Sequence, residues 1–408
     1  MTGLDRSSTI DVVGVGADGW AGLSPTSRDA VESADVLFGS ERQLDAVPGT
    51  AARRIAWPTP MLPALAGLLD EHAGARRCVL ASGDPMFHGI GVTLTRLLGA
   101  DALRVLPHPS SASLACARLG WALHDVEVVS LVNRPIETVL PALAHRRRVL
   151  VLAENESTAA ELATLLLRRG LGSSAMSVLE QLGGPRERVR ALPVTDWVDA
   201  RDVDSLSVVA LEVRGNTVSR APGLDDALYV GDGQLTKREV RALTLSALAP
   251  SPGERLWDVG GGSGSIAIEW MRTHPACSAI AFERVDSRSA TIRTNAVALG
   301  VPSLVVRGAA PDSFVGAPEP DAVFVGGGAT QPGVMDACWD ALPEGGRLVA
   351  NAVTAESESL LLQWYQRHGG LLRRLQVHRG EPLGGFTGWR PQMPVTQWSV
   401  AKNEKETA

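Results

Sequence analysis

Two stretches of the chain combine residue types and spacings suited to holding a small polar ligand. In the second half, Trp257-Asp258-Val259-Gly260-Gly261-Gly262-Ser263-Gly264-Ser265-Ile266 reads as an apolar strand, a glycine-rich turn and a helix running to Arg272. Gly260, Gly262 and Gly264 let the backbone pass close to a ligand, although such a cluster alone also fits a plain tight turn. The next strand, Ser278–Phe282, ends in Glu283, about twenty residues beyond the glycines, where a carboxylate can accept hydrogen bonds from both hydroxyls of a ribose. Asp258 either orients the turn or meets a cationic end of the ligand, and the loop Arg307-Gly308-Ala309-Ala310-Pro311 offers a resting place for adenine. NAD and S-adenosylmethionine both satisfy this constellation.

The first half opens with Val12-Val13-Gly14-Val15-Gly16-Ala17-Asp18-Gly19, a strand and glycine turn that on its own is a weak signal. Leu80-Ala81-Ser82-Gly83-Asp84-Pro85-Met86-Phe87 adds a sharp turn in which Asp84 either accepts from a ligand or forms an Asx turn. Ser110, Ser111 and Ser113 precede or open a helix, and capping explains one hydroxyl but not all three. His88 beside this turn has no partner in sequence and reads as an ordinary loop residue, so no metal site is predicted.

These motifs must be positioned by strands alternating with helices, which the chain supplies twice. Ile10–Gly14, Cys78–Ala81, Val126–Ser130, Val149–Ala153 and Ser207–Val213 read as strands, with a helix over Thr158–Arg169 stopped at Gly170. A polar Gly/Pro segment, 215–223, reads as a linker. Beyond it come Leu256–Val259, Ser278–Phe282, Leu304–Arg307, Ala322–Val325 and Arg347–Asn351, separated by helices, then two late strand-like runs near Leu372–His378 and Val395–Ala401. A parallel sheet closed by an antiparallel pair fits this order. With 408 residues the chain has room for two domains, and 45% hydrophobic residues provide their cores. Lys+Arg 39 against Asp+Glu 45 gives a net charge of −6, which argues against a nucleic-acid or anionic-membrane partner. Cys78, Cys116, Cys277 and Cys338 form no Cys-x-x-Cys pair and read as buried apolar residues in a reducing compartment. Neither a signal pattern nor a membrane-length apolar run is present, so the cytoplasm is the expected location.

Residues 224–408 resemble the methyltransferase domain of the corrin pathway, a Rossmann-like class I methyltransferase sheet. The match runs through Leu235-Thr236-Lys237-Arg238-Glu239-Val240-Arg241, the glycine turn, Phe282-Glu283-Arg284, Asn295-Ala296, the 308–311 loop and Asn351-Ala352-Val353-Thr354. The resemblance implies S-adenosylmethionine as cofactor, held by Thr236, Asp258, Gly260, Gly261, Gly262, Ser263, Gly264, Glu283 and Ala310. Residues 9–214, with Glu180-Gln181-Leu182-Gly183 as a late segment, resemble the tetrapyrrole methylase family, an unrelated fold of two αβα subdomains. That likeness implies a second S-adenosylmethionine site lined by Ala17, Asp84, Phe87, Ser111, Ala112 and Leu182. Here Ala17-Asp18 stands where relatives commonly carry Pro-Gly, and Ser130-Leu131-Val132-Asn133-Arg134 replaces a common Ser-x-His-Gly-Arg.

The pairing, in this order, is similar to the bifunctional C-methyltransferases of cobalamin biosynthesis. It implies a precorrin-type tetrapyrrole substrate, methylation of carbon 5 by residues 1–214, methylation of carbon 15 with loss of the ring C acetate carboxyl by residues 224–408, and a homo-oligomer. Arg134, Arg284 and Arg390 are candidate clamps for the substrate's carboxylates, because a guanidinium matches them bidentately. No catalytic acid or base is nominated, since a sulfonium carries its own leaving group. RNA methylation is the rival within the same chemistry and NAD binding the rival outside it.

Overall fold

The computed structural model describes residues 9–403. It divides into two compact units, one running to Ile136 and resuming over His145–Asn216, the other comprising Glu137–Ala144 and the chain from Thr217 onward. Among the described residues no helix is long and apolar enough to cross a membrane.

The first unit holds two five-stranded sheets. β1 (Ile10–Val15), β2 (Val36–Gly39), β3 (Arg53–Ala56), β4 (Arg77–Ser82) and β5 (Leu103–Leu106) form a parallel sheet in the order β3-β2-β4-β1-β5. Its central strands are apolar on both faces, as a sheet covered by helices on each side requires: Val12, Val13, Val79 and Leu80 are all fully buried. β6 (Val126–Ser130), β7 (Arg148–Leu152), β8 (Ala175–Glu180), β9 (Arg188–Pro193) and β10 (Ser207–Glu212) form the other, in the order β6-β7-β10-β8-β9, with only β6 and β7 parallel. The helix Ser111–Leu119 starts at Ser110, whose hydroxyl accepts from Ser113 N at 3.1 Å. Ser110 is thus consumed by the cap, and the Ser113 hydroxyl lies 3.0 Å from that of Ser110 in the same motif.

In the second unit, β11 (Arg255–Val259), β12 (Ser278–Phe282), β13 (Val305–Arg307), β14 (Ala322–Val325), β15 (Arg347–Ala352), β16 (Leu371–Leu375) and β19 (Val395–Ala401) form one sheet. The order is β13-β12-β11-β14-β15-β19-β16, parallel except for β19, which runs antiparallel to both neighbours. This is the doubly wound sheet with a reversed closing strand. Between β16 and β19 the chain makes a separate two-stranded hairpin, β17 (His378–Leu383) and β18 (Phe386–Pro391).

Four differences from the sequence reading have physical reasons. β2, β3 and β5 have four residues each, too few for a periodicity to show, and β3 is an edge strand carrying two arginines. β8 and β9 pair as an antiparallel extension whose outer strand is largely exposed. The run Leu372–His378 is two elements rather than one, because the chain leaves the sheet after Leu375. Only one 3-10 turn, Asp312–Phe314, stands where a helix was expected between β13 and β14. The segment read as a linker is held by the second unit from Thr217 onward: the buried Arg272 donates to the carbonyls of Val218 and Ser219.

Candidate functional sites

In the first unit a cavity of about 440 Å³ lies where the C-terminal ends of β1 and β4 meet the second sheet. The loops crowd together there: a Cβ on Gly14 would overlap the Gly83 carbonyl and approach His108 N to 2.7 Å, so the backbone contact requires glycine. Ala17, Asp84, Phe87, Ser111 and Leu182 line the cavity. The Asp84 carboxylate also accepts from Met86 N at 2.9 Å, so the Asx turn and the cavity-facing position coexist. Ala112 is instead fully buried in the core beside Ala115, Leu150 and Leu179 and does not line the cavity. Arg134 also lies outside it, but its charge reaches His88, whose pKa is lowered by burial first and by Arg134 second. Sequence reasoning missed Arg42, which lines the cavity and donates to Ser82 Oγ at 2.7 Å. It sits on the short helix Glu41–Asp45, and the only sequence signal was the capping pair Ser40 and Gln43 that starts this helix.

The second unit holds a cleft of about 790 Å³ at the C-terminal ends of β11, β12 and β14. Thr236, Asp258, Gly260, Gly261, Gly262, Ser263, Glu283 and Ala310 line it, joined by Arg284. Gly264 does not; with φ +77° it caps the helix Ser265–Thr273 from behind. Gly260 has φ +74°, and a Cβ there would stand 2.5 Å from the Gly327 carbonyl oxygen, so both conformation and contact exclude a side chain. The Gly326-Gly327-Gly328 run that supplies this contact went unread, although a glycine triplet after an apolar strand was visible. Arg390 is not among the residues that line the cleft: it lies exposed on β18, where it pairs with Glu381 at 2.9 Å.

Several side chains fix the cleft. Glu283 is buried and accepts from Gly262 N at 2.9 Å and Val285 N at 3.0 Å, one bond to each carboxylate oxygen. Asn295 donates to the carbonyls of Ser263 and Val230, both at 2.9 Å, tying the glycine turn to the segment before Thr236. Trp257, Phe282 and Phe314 pack with ring centroids 4.7 to 5.2 Å apart, a rigid base beside the Ala310 loop.

The Asp258 carboxyl is fully buried and accepts from Ala267 N at 3.1 Å. Burial, reinforced by the nearby Glu283 charge, pushes its pKa up from 3.8 to about 7. The folded chain therefore keeps a proton that the unfolded chain releases, so this residue makes stability fall as pH rises from about 4 through 7. Asp258→Asn should flatten that fall in the second unit's melting temperature. Melts across this range compare the two proteins, and equal slopes would reject the assignment.

Two family models match, "Precorrin methyltransferase domain" over residues 227–402 and "Tetrapyrrole (Corrin/Porphyrin) Methylases" over residues 9–197. The precorrin-6Y C(5,15)-methyltransferase [decarboxylating] of Mycobacterium tuberculosis (strain ATCC 25618 / H37Rv) is 54% identical over 398 residues, covering 96% of this chain and 100% of its own. The chain belongs to the precorrin-6Y C(5,15)-methyltransferase (decarboxylating) family. Another member, from Sinorhizobium sp, is 47% identical over 406 residues, with 97% of each chain covered. Among solved structures, the C-terminal domain of the Rhodobacter capsulatus precorrin-6Y C5,15-methyltransferase is 45% identical, covers 45% of this chain and all of its own, and superposes with a TM-score of 0.43. Membership makes this an S-adenosylmethionine-dependent methyltransferase and adds a decarboxylation. The described geometry fits the donor: a buried carboxylate beside a glycine turn, a second buried carboxyl within the same cleft, and the Ala309–Ala310 loop along its wall.

Proposed function

We propose that this chain binds one S-adenosylmethionine in each unit and converts precorrin-6Y to precorrin-8X. In this reading residues 1–214 methylate carbon 5 of the macrocycle, and residues 224–408 methylate carbon 15 and remove carbon dioxide from the ring C acetate. The observation that carries it is the presence of two separate cavities, each built at the strand ends of its own sheet around its own glycine turn.

The residues suit the chemistry. The donor's sulfonium departs as a neutral thioether, and an electron-rich meso carbon of a reduced tetrapyrrole is already nucleophilic. What the protein must supply is in-line placement and exclusion of water. Beside backbone and apolar side chains the walls carry charged groups, Asp84 and Arg42 in the first cavity and Asp258, Glu283 and Arg284 in the second, and none of them is assigned to an acid–base pair. Loss of carbon dioxide sends an electron pair into the conjugated macrocycle, which serves as the sink. In the first cavity Arg42 is the cation placed to meet a substrate carboxylate, and in the second Arg284 has that position. Four buried, unpaired cysteines accord with work in the cytoplasm. We expect the enzyme to act as a homo-oligomer, without nucleic acid or membrane as partner.

The test is mass spectrometry of the tetrapyrrole after incubation with the full chain, S-adenosylmethionine and a reduced precorrin-6 substrate. Gain of two methyl groups with loss of one carbon dioxide is expected. Donor binding with an unchanged macrocycle would reject the substrate and direct the search to RNA or another acceptor.

A further inference from the structure

A second, smaller cavity of about 250 Å³ opens beside the donor cleft of the second unit. The two share Leu235, Thr236, Gly326 and Val353 as lining, so a group held in one lies next to the ligand of the other. Its volume is below that of a drug-sized ligand site, too small for a tetrapyrrole but roomy for one side arm. The walls are mostly apolar, with Leu375 and Val377 from the strand edge and its continuation, and Met393 from the approach to β19.

Of the two charged side chains that line this cavity, one is already committed and the other is not. Glu239 is neutralised by Arg379 at 2.8 Å. Asn351 spends its amide nitrogen on Thr244 Oγ1 at 3.0 Å and its oxygen on Gln397 Nε2 at 3.1 Å. Lys237, half-buried at the start of the helix Arg238–Leu248, forms no ion pair among the described residues. It is one of three lysines in a chain that otherwise uses arginine, and the other two lie at the C-terminal end. An apolar pocket with a single uncommitted ammonium, adjoining a methyl donor, is matched by a short arm ending in a carboxylate.

We infer that this pocket holds the acetate arm that is decarboxylated, with its carboxylate against Lys237 and the macrocycle lying across the mouth beside the donor. The inference rests on the function proposed above. In the step, the bond between the arm's methylene carbon and its carboxyl carbon breaks, the electron pair enters the conjugated macrocycle, and carbon dioxide departs. A solvent proton then adds to the methylene, leaving a methyl group. Charge leaves the carboxylate as the bond breaks, so apolar walls disfavour the localised starting anion more than the dispersed charge that follows. Lys237 recognises the starting anion. Its contribution therefore falls on binding rather than on the rate of bond breaking, because an interaction at least as strong before the transition state as in it does not speed the step.

Lys237→Met in the full chain should raise KM for the tetrapyrrole about tenfold or more, leave kcat for carbon dioxide release unchanged or higher, and leave the donor's Kd unchanged. Lys237→Arg should recover most of the KM. Leu375→Trp, at the pocket wall, should fill the cavity and stop carbon dioxide release while the donor still binds. Unchanged KM in Lys237→Met together with normal carbon dioxide release by Leu375→Trp would overturn the inference while the wild type's turnover upheld the function. A wild type that neither methylates nor decarboxylates the precorrin would reject both.

Discussion

Glu283→Ala should weaken S-adenosylmethionine binding at the second site by about 100-fold or more, while methylation at carbon 5 continues. The expectation follows from what this carboxylate already does and from what it has left to give. Both oxygens accept a backbone N–H, from Gly262 at 2.9 Å and Val285 at 3.0 Å, so the carboxylate holds the glycine turn in its binding shape. Each oxygen keeps acceptor capacity for a ribose hydroxyl. Hydrogen bonds to a charged group contribute about 1.5–3 kcal/mol each, so losing two gives the stated factor at the low end. Glu283→Gln should fall between, since it retains one acceptor oxygen but turns an NH₂ toward one of the two N–H donors. With one donor site in each unit, as proposed above, calorimetric titration of the donor into the full chain reads both at once. A Glu283→Ala titration with two wild-type affinities would sink the assignment.

Glu283 also shows how far the sequence could be read. Its place at the end of an apolar strand, a fixed distance beyond a glycine turn, is a local pattern, and the structure sets it against the turn. Both glycine turns, Asp84, Phe87 and the Ser110–Ser111 helix start were visible for the same reason: the residues that position them are near neighbours in the chain. Arg42 was not visible, because it reaches its cavity from a five-residue helix whose placement depends on β2 and β4, strands that pair only in three dimensions. Arg390 was named only from its residue type, because a guanidinium suits a carboxylate, and its place in the fold was not legible. The chain leaves the sheet after β16 and puts it on an exposed hairpin with Glu381 as partner. Most of the strands that escaped notice were short or lay at edges, where few residues cannot be told from loop; β8, six residues long and inside its sheet, is the exception.

The largest loss of stability is expected from Glu269→Leu, and it should exceed that of Arg241→Met although the two side chains form one ion pair. Both are almost wholly buried, on the helices Ser265–Thr273 and Arg238–Leu248, with Arg241 Nε 2.5 Å from Glu269 Oε1. Glu269 also accepts from Gly223 N at 2.6 Å, Leu224 N at 3.1 Å and Tyr229 Oη at 2.9 Å. Leucine at 269 would strand these three donors and leave a guanidinium in the core with no full counter-charge except the partly exposed Asp226 at 3.1 Å. Methionine at 241 removes the cation but leaves Glu269 its three neutral donors. Removing one partner of a buried pair costs about 3–5 kcal/mol, so Arg241→Met should fall near the low end and Glu269→Leu at or above the high end. For a unit of this size about 10 °C of melting temperature is at stake. The double substitution should cost less than the sum of the singles by about 1–3 kcal/mol, because the uncompensated charge of each single variant is gone. A functional signature accompanies the loss. Arg241 donates to the Thr236 carbonyl at 2.6 Å and to the Leu224 carbonyl at 2.5 Å, pinning the segment whose residues 233–236 line the donor cleft. Arg241→Met should therefore raise KM for S-adenosylmethionine at the second site below its own melting temperature, with the first unit's activity and unfolding transition unmoved. Calorimetry together with product analysis separates these effects. Equal losses for the two single variants, or strictly additive ones, would mean that the pair is not the clamp that closes this segment over the donor.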